Sequence, residues 1–398
     1  MSTRIYAHAT AVLPDRVLED ALVAVEDGLI TEVAARTGPV PYGAVDLDGA
    51  LLLPGLVDTH SDGLEKEVRP RPGAEFDPDF AVASFEGRVR AAGVTTIFHG
   101  IGYQSDGRKE RTVAAAQRLE HAITGRAATG TALVDHRLLL RLDARDPAAL
   151  TALKAAVAGY ADRTAVPLVS FEDHTPGQGQ YADPAYYRRW LEGTEGLSSA
   201  DAQAKLETYT ADREGRAWHR DVAFAWLSER ARAGGLRLLA HDPVTAEEIA
   251  AVHARGVAVA EFPTTLEAAR AARAHGMHIV AGAPNVLRGG SHSGNVSATD
   301  LIAAAAVDAL SSDYLPSTPL AAALRLAVSG TPTHEAVRLV TAGPAAVAGL
   351  TDRGALAPGL RGDLVAVTVD GGWPTVRLVT TVTDGLASRA EHVPAGAA

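Results

Sequence analysis

The sequence predicts an α/β protein: a (β/α)8 TIM barrel with a small β-sandwich domain built from both termini. Two observations lead there. Between Pro54 and about Asp352, short apolar runs alternate with stretches of helical spacing, the pattern of repeated β/α units. Eight such runs can be counted, over residues 55–62, 93–99, 132–142, 166–174, 236–241, 256–262, 278–283 and 307–313. The two ends have a different texture, with short alternating runs over 1–53 broken by Pro14-Asp15, Asp27-Gly28 and Gly38-Pro39, which are hairpin signals. The far end repeats it in GALAPGLRGDLVAVTV from Gly354. Residues 1–53 and 354–398 are therefore expected to meet in one β domain, leaving 54–353 as the barrel.

Punctuation supports the helices between the runs. Asp77-Pro78 and Asp146-Pro147 each place an N-cap before a proline at the first helical position. Thr245 with Glu248, and Thr264 with Glu267, fit capping boxes. Gly93, Gly256 and Gly276 supply stops. The segment from Tyr181 to Gly234 is too long for a minimal β/α connection and holds Trp190, Trp218 and Trp226. A lid, a subunit surface and an added helical pair all fit it. The last residues, from Pro394, have nothing to bury and are expected to be disordered.

Composition excludes several classes. Hydrophobic residues make up 47% of the 398, enough for a large core, yet no apolar run reaches the roughly 18 residues of a membrane span. The amino terminus lacks a basic start followed by an apolar block, so the cytoplasm is expected. Without cysteine there are neither disulfides nor thiolate ligands, and a metal would have to be held by the 14 histidines and 48 carboxylates. The net charge of -11 disfavours nucleic acid and anionic membrane as partners.

In a barrel, chemistry sits at the carboxyl ends of the strands. Residues two apart on a strand point the same way, so in LLLPGLVDTHSD from Leu51 the side chains of Asp58, His60 and Asp62 should share a face. An imidazole with a nearby carboxylate suits a divalent cation. The other strand ends read His99, Glu172-Asp173-His174, His241-Asp242, Glu261 and Asp313, so six of eight finish in histidine or acid.

With these strand ends the chain resembles the amidohydrolase superfamily, whose first strand ends in His-x-His and whose later strands supply a carboxylated lysine or glutamate, two histidines and an aspartate. Here Asp62 stands for the second histidine, and Lys66, Lys109, Lys154 and Lys205 all lie away from the fourth strand, which argues against a carboxylated lysine. The resemblance implies a divalent metal, zinc first with manganese, iron or nickel as alternatives, as one or two ions. His60, Asp62, His241 and Asp313 would be ligands or direct neighbours, with Glu172 or His174 bridging from the fourth strand and Glu261 a further candidate.

Four blocks narrow the resemblance: HSDGLEKEVRPRPG from His60, VSFEDHTPGQGQY from Val169, the run from Ala260 to Ala298 that includes EFPTT and APNVLRGGSHSGN, and LSSDYLP from Leu310. They are similar to the ribose triphosphate diphosphatases of the carbon-phosphorus lyase pathway. The implied reaction is hydrolysis of a ribose 5-triphosphate to the 5-phosphate and diphosphate, with Asp313 accepting the proton of the attacking water. The residues suit a phosphorylated sugar: Lys66, Arg69 and Arg71 follow the first strand, and Arg288, Gly289, Gly290, Ser291 and His292 follow the seventh, where glycines let backbone N–H groups approach phosphate. Gln178, in the loop after the fourth strand, is expected at the sugar or phosphonate end. Departures from the family pattern at Gly63, His99, Glu172 and Pro243 leave a related phosphorylated sugar open. A C–N bond hydrolase is the alternative chemistry, and a homodimer is the expected assembly.

Overall fold

The computed structural model describes residues 3–105, 111–160, 166–291 and 293–382. Lys109, His292 and the tail from Pro394 lie outside the described residues.

Both ends of the chain enter one seven-stranded sheet. Its strands are β1 (Thr3–Val12), β2 (Val17–Glu26), β3 (Leu29–Ala35), β4 (Val45–Asp46), β5 (Leu51–Pro54) and, from the far end, β14 (Leu364–Asp370) and β15 (Trp373–Thr380). Between them in sequence lie the barrel strands β6 (Leu56–Ser61), β7 (Val94–Tyr103), β8 (Asp135–Asp143), β9 (Leu168–Glu172), β10 (Arg237–His241), β11 (Val257–Glu261), β12 (His278–Gly282) and β13 (Ala309–Ser311). Asp27-Gly28 makes the two-residue hairpin from β2 to β3, with φ of 51° and 86°, the doubly left-handed turn that matches strand twist. The termini join where β14 runs antiparallel to β5, Leu364 opposite Pro54. Tyr6, Val23, Ile30, Leu52 and Leu364 pack together in this part.

Gly55 alone separates β5 of the terminal sheet from β6 of the barrel. A side chain there would strike Thr95 and Asp363, so the crossing requires glycine. The eight parallel strands run in sequence order, and β13 meets β6 through a bridge between Ser61 and Asp313. One residue from each strand fills the interior: Val57, Phe98, Leu139, Leu168, Leu239, Val259, Val280 and Ala309. This is the packed barrel core expected of the fold.

The caps are largely as read. Asp77 and Asp146 accept N–H groups ahead of Pro78–Ala91 and Pro147–Gly159, and Thr245 caps Ala246–His253. The box at Thr264 is corrected: Thr265 caps Leu266–Ala274, while the Thr264 hydroxyl donates to the Pro243 carbonyl. The long segment after β9 forms helices Pro184–Glu195, Ser199–Gly215 and Ala217–Arg232.

His99 needs a second correction. It lies one residue past the inward Phe98, and its ring meets Phe85 and His136 in the layer between strands and helices. His99 Nε2 and His136 Nδ1 are 2.9 Å apart, and His136 Nε2 lies 3.0 Å from Glu86 Oε2. Arg126 completes the chain by pairing with Glu86. His99 therefore belongs to a structural network and not to the barrel mouth.

Candidate active site

The second inward layer, two residues beyond the core ring, carries Gly100, Arg141, Ser170, His241 and Glu261. Glu261 is its anchor. Buried to 0% exposure, it accepts from the Ser170 hydroxyl at 2.6 Å and lies 2.8 Å from both His60 Nδ1 and His241 Nδ1. An ionised carboxylate only accepts, so each Nδ1 carries a proton and each ring turns its Nε2 away from Glu261. Burial opposes the charged rings, but the surrounding carboxylates outweigh it and raise both imidazoles, His241 to about 9. Burial pushes the Glu261 carboxyl up, but the two imidazoles bring it well below the usual range. Glu261 thus orients two histidines, the arrangement that fixes metal-ligating imidazoles.

Around this anchor the structure forms two further donor triads, His60 with Asp62 and Asp313, and His174 with His241 and Asp242. His60 Nε2 is 3.5 Å from Asp62 Oδ1. Asp242 Oδ2 lies 3.4 Å from His241 Nε2 and 3.9 Å from His174 Nε2. Asp242 Oδ2 and His174 Nε2 are buried without hydrogen-bond partners. Burial pushes the Asp242 carboxyl up to about 6 and the His174 imidazole down to about 3. Orphaned nitrogen and oxygen atoms converging in a carboxylate-rich mouth fit a divalent ion of borderline hardness.

Sequence reasoning missed Arg141, a buried cation at the centre of the site. Its Nη1 lies 2.6 Å from both oxygens of Asp62, its Nε bonds Glu172 Oε1, and its Nη2 reaches Glu172 Oε2 at 3.3 Å. Burial opposes the charges of Asp62 and Glu172 but is outweighed, so both carboxyls are held below their usual range by this guanidinium. The signal was available: an arginine two residues past an inward leucine, interrupting the apolar run from Leu138 to Leu142 near the end of a barrel strand.

Asp58 is a correction to the expected first-strand face. A register shift between Asp58 and Ser61 breaks the alternation, so His60 and Asp62 line the cavity while Asp58 is fully buried and accepts the Ser312 N–H at 3.0 Å. Three strand exits are also strained in a way no pattern announced. Asp242, Phe262 and Asp313 have φ of 52°, 55° and 52°, left-handed values that each cost non-glycine residues on the order of 1–2 kcal/mol.

The cavity above these residues has a volume of about 260 Å³. Arg111 and Gln104 stand on one side, Ser291, Ser293 and Asn295 on another, and the inserted helices contribute Tyr187, Trp190 and Tyr209, with Tyr181 just before them. Of the expected substrate contacts, Ser291 reaches this cavity. Lys66 and Arg69 line a neighbouring cavity of about 210 Å³ that shares Arg111, with Lys66 over the Tyr314 ring and Arg69 paired to Glu75. Arg71, Gln178, Arg288, Gly289 and Gly290 line neither, and Gln178, Arg288 and Gly289 are exposed.

The amidohydrolase family model matches residues 51–387. The chain belongs to the amidohydrolase family. It is 37% identical over 366 residues, 89% of this chain and 92% of the relative, to alpha-D-ribose 1-methylphosphonate 5-triphosphate diphosphatase of Escherichia coli K12. Among solved structures it resembles 5-methylcytosine deaminase from Klebsiella pneumoniae, with a TM-score of 0.61, 16% identity and 96% and 97% of the two chains covered. N-acetyl-D-glucosamine-6-phosphate deacetylase from Mycobacterium smegmatis gives a TM-score of 0.60, 16% identity and coverage of 96% and 99%. These two show the shared barrel fold. As an amidohydrolase the chain is a hydrolase, and its His/Asp clusters are of the kind that hold the family's divalent metal. No helix among the described residues is long and apolar enough to cross a membrane.

Proposed function

We propose that this amidohydrolase cleaves a ribose 5-triphosphate, alpha-D-ribose 1-methylphosphonate 5-triphosphate or a close relative, into the 5-phosphate and diphosphate with the help of a divalent ion. The observation that carries the reading is the 37% identity to the Escherichia coli diphosphatase along nearly the whole of both chains. The residues at the cavity support it. His174, His241 and Asp242, with His60 and Asp313 alongside, would hold the ion. Such an ion supplies Lewis acidity and brings the pKa of bound water from 15.7 to about 7.

The chain's own groups do the rest. Asp313, on the strained exit of β13, is raised by burial and by the negative charge of Asp62, which suits it to accept the proton of the attacking water. Arg111, with the hydroxyls of Ser291 and Ser293 and the Asn295 amide, would bind phosphate oxygens and the diphosphate as charge builds on it. The aromatic wall of Tyr181, Tyr187, Trp190 and Tyr209 would receive the sugar and its C1 substituent. The departure at Gly63 has a local cause, because a side chain there would lie within 2.9 Å of Phe85 and Pro316.

Hydrolysis of the sugar triphosphate in oxygen-18 water, followed by phosphorus NMR, tests the reading. Diphosphate with label in the sugar monophosphate is expected, from attack at the α-phosphorus. Label only in diphosphate would refute that point of attack. Release of ammonia from C–N substrates without diphosphate formation would refute the reaction class.

A further inference from the structure

We infer that Arg141 is a built-in second cation of this centre, so that the chain binds one tightly held divalent ion, at His174, His241 and Asp242. Asp62 and Glu172 then form an ion-paired clamp with Arg141 and are not ligands. The inference rests on the metal-dependent reading above and goes further, to the number of ions and the residues that hold them.

Two acidic groups flank the mouth, and they are satisfied differently. Every oxygen of Asp62 and Glu172 has a guanidinium donor from Arg141, whose planar fork reaches one carboxylate through Nη1 and the other through Nε and Nη2. The Arg141 side chain is 6% exposed and arginine does not deprotonate, so this positive charge is permanent. Drawing either carboxylate onto an ion would leave a buried guanidinium with half of its acceptors. The His60, Asp62 and Asp313 triad needs Asp62, so it is already spoken for. On the other flank, Asp242 Oδ2 and His174 Nε2 are buried and unpartnered, and His241 is held by Glu261 with its Nε2 toward Asp242. That flank holds the atoms still in need of a partner.

The backbone is shaped around the clamp as well. Gly100 lies opposite it on β7, and a Cβ there would sit 2.5 Å from Asp62 Oδ1 and 3.1 Å from Arg141 Cδ. Within the barrel wall only glycine leaves room for the pair.

Metal counting by plasma mass spectrometry, on the full-length chain dialysed against zinc and then against buffer, tests this. One ion per wild-type chain is expected. Asp62→Asn should keep its ion, and His174→Ala should lose it. Arg141→Met frees two carboxylates and should take up a second ion, whereas Arg141→Lys, which restores the charge, should stay at one. Two tightly bound ions in the wild type, an empty Asp62→Asn, or a folded Arg141→Met that remains at one ion would overturn the inference. If circular dichroism shows Arg141→Met unfolded, the wild-type count and the Asp62→Asn and His174→Ala pair decide alone. Diphosphate release by a two-ion enzyme would remove this inference and keep the proposed function. A one-ion chain that releases no diphosphate would do the reverse, and a chain with no ion would remove both.

Discussion

The barrel mouth and the layer behind β7 each bury histidines against carboxylates, yet only one of them has a chemical opening. Behind β7, Glu86 accepts from His136, Arg126 and the Leu133 N–H, and His136 passes the chain on to His99. Neither cavity is lined by these residues. The only loose end is His99 Nδ1, the bare lone pair of a neutral ring whose pKa burial drives far down. At the mouth, Glu261 is just as saturated, but the groups it orients present Nε2 atoms to a cavity, beside an Asp242 oxygen with no partner. A buried polar network that closes on itself is structure. One that ends in convergent, unsatisfied atoms facing a cavity is a site.

Substitutions should separate the two networks. The largest effect is expected from His241→Ala, which should abolish both the bound ion and hydrolysis, and should lower the thermal melt as well because the buried Glu261 loses a partner. A chain that keeps full metal and turnover would break the distinction. Glu261→Gln comes next: it cannot accept from both rings as an ionised carboxylate does, and metal affinity should fall roughly 10–100-fold, the usual cost of losing a group that orients a ligand. Competition titration against a chelator measures it.

Glu86→Gln should show the opposite profile, an intact active site in a weaker protein. Burial pushes the Glu86 carboxyl up, but His136 and Arg126 outweigh it and bring it to about 2, so its ionised form stabilises the fold by roughly 3 kcal/mol. Denaturant unfolding at pH 7 should register a loss of that order, with metal content per folded chain unchanged.

Acidification should act through the same network with a definite sign. His99 takes up a proton in the unfolded chain below its ordinary 6.5 but not in the folded one, so stability begins to fall from there. Below about 4.5 the unfolded chain protonates Glu86 while the folded one holds it ionised down to about 2, so stability falls further. Glu86→Gln should flatten this second decline, and a wild-type-like slope in the variant would refute the assignment. The smallest effect is expected at Trp218, 61% exposed on the inserted helices, where alanine should change stability by no more than about 0.5 kcal/mol.

The barrel was legible because period and punctuation are local properties. Each of the eight runs carries its own apolar pattern, and signals such as Asp77-Pro78 or Asp27-Gly28 work through their nearest neighbours. The same local reading placed His60, Asp62, His174, His241 and Asp313 at strand ends, and all five line the cavity. It failed wherever a partner distant in sequence decides. Arg141 looked like one more residue of β8 until folding set it between Asp62 and Glu172, 79 and 31 positions away. Glu261 became an orienting group only when it met His60, 201 positions back. His99 was turned outward by the parity of β7, and Asp58 was separated from His60 by a shift in register with that strand. Sequence by itself determined which elements form and which residues sit at their ends. Which of those residues touch, and which keep a free lone pair, depended on strand register and barrel closure, because hydrogen bonds and charges act over a few ångströms of space whatever the distance along the chain.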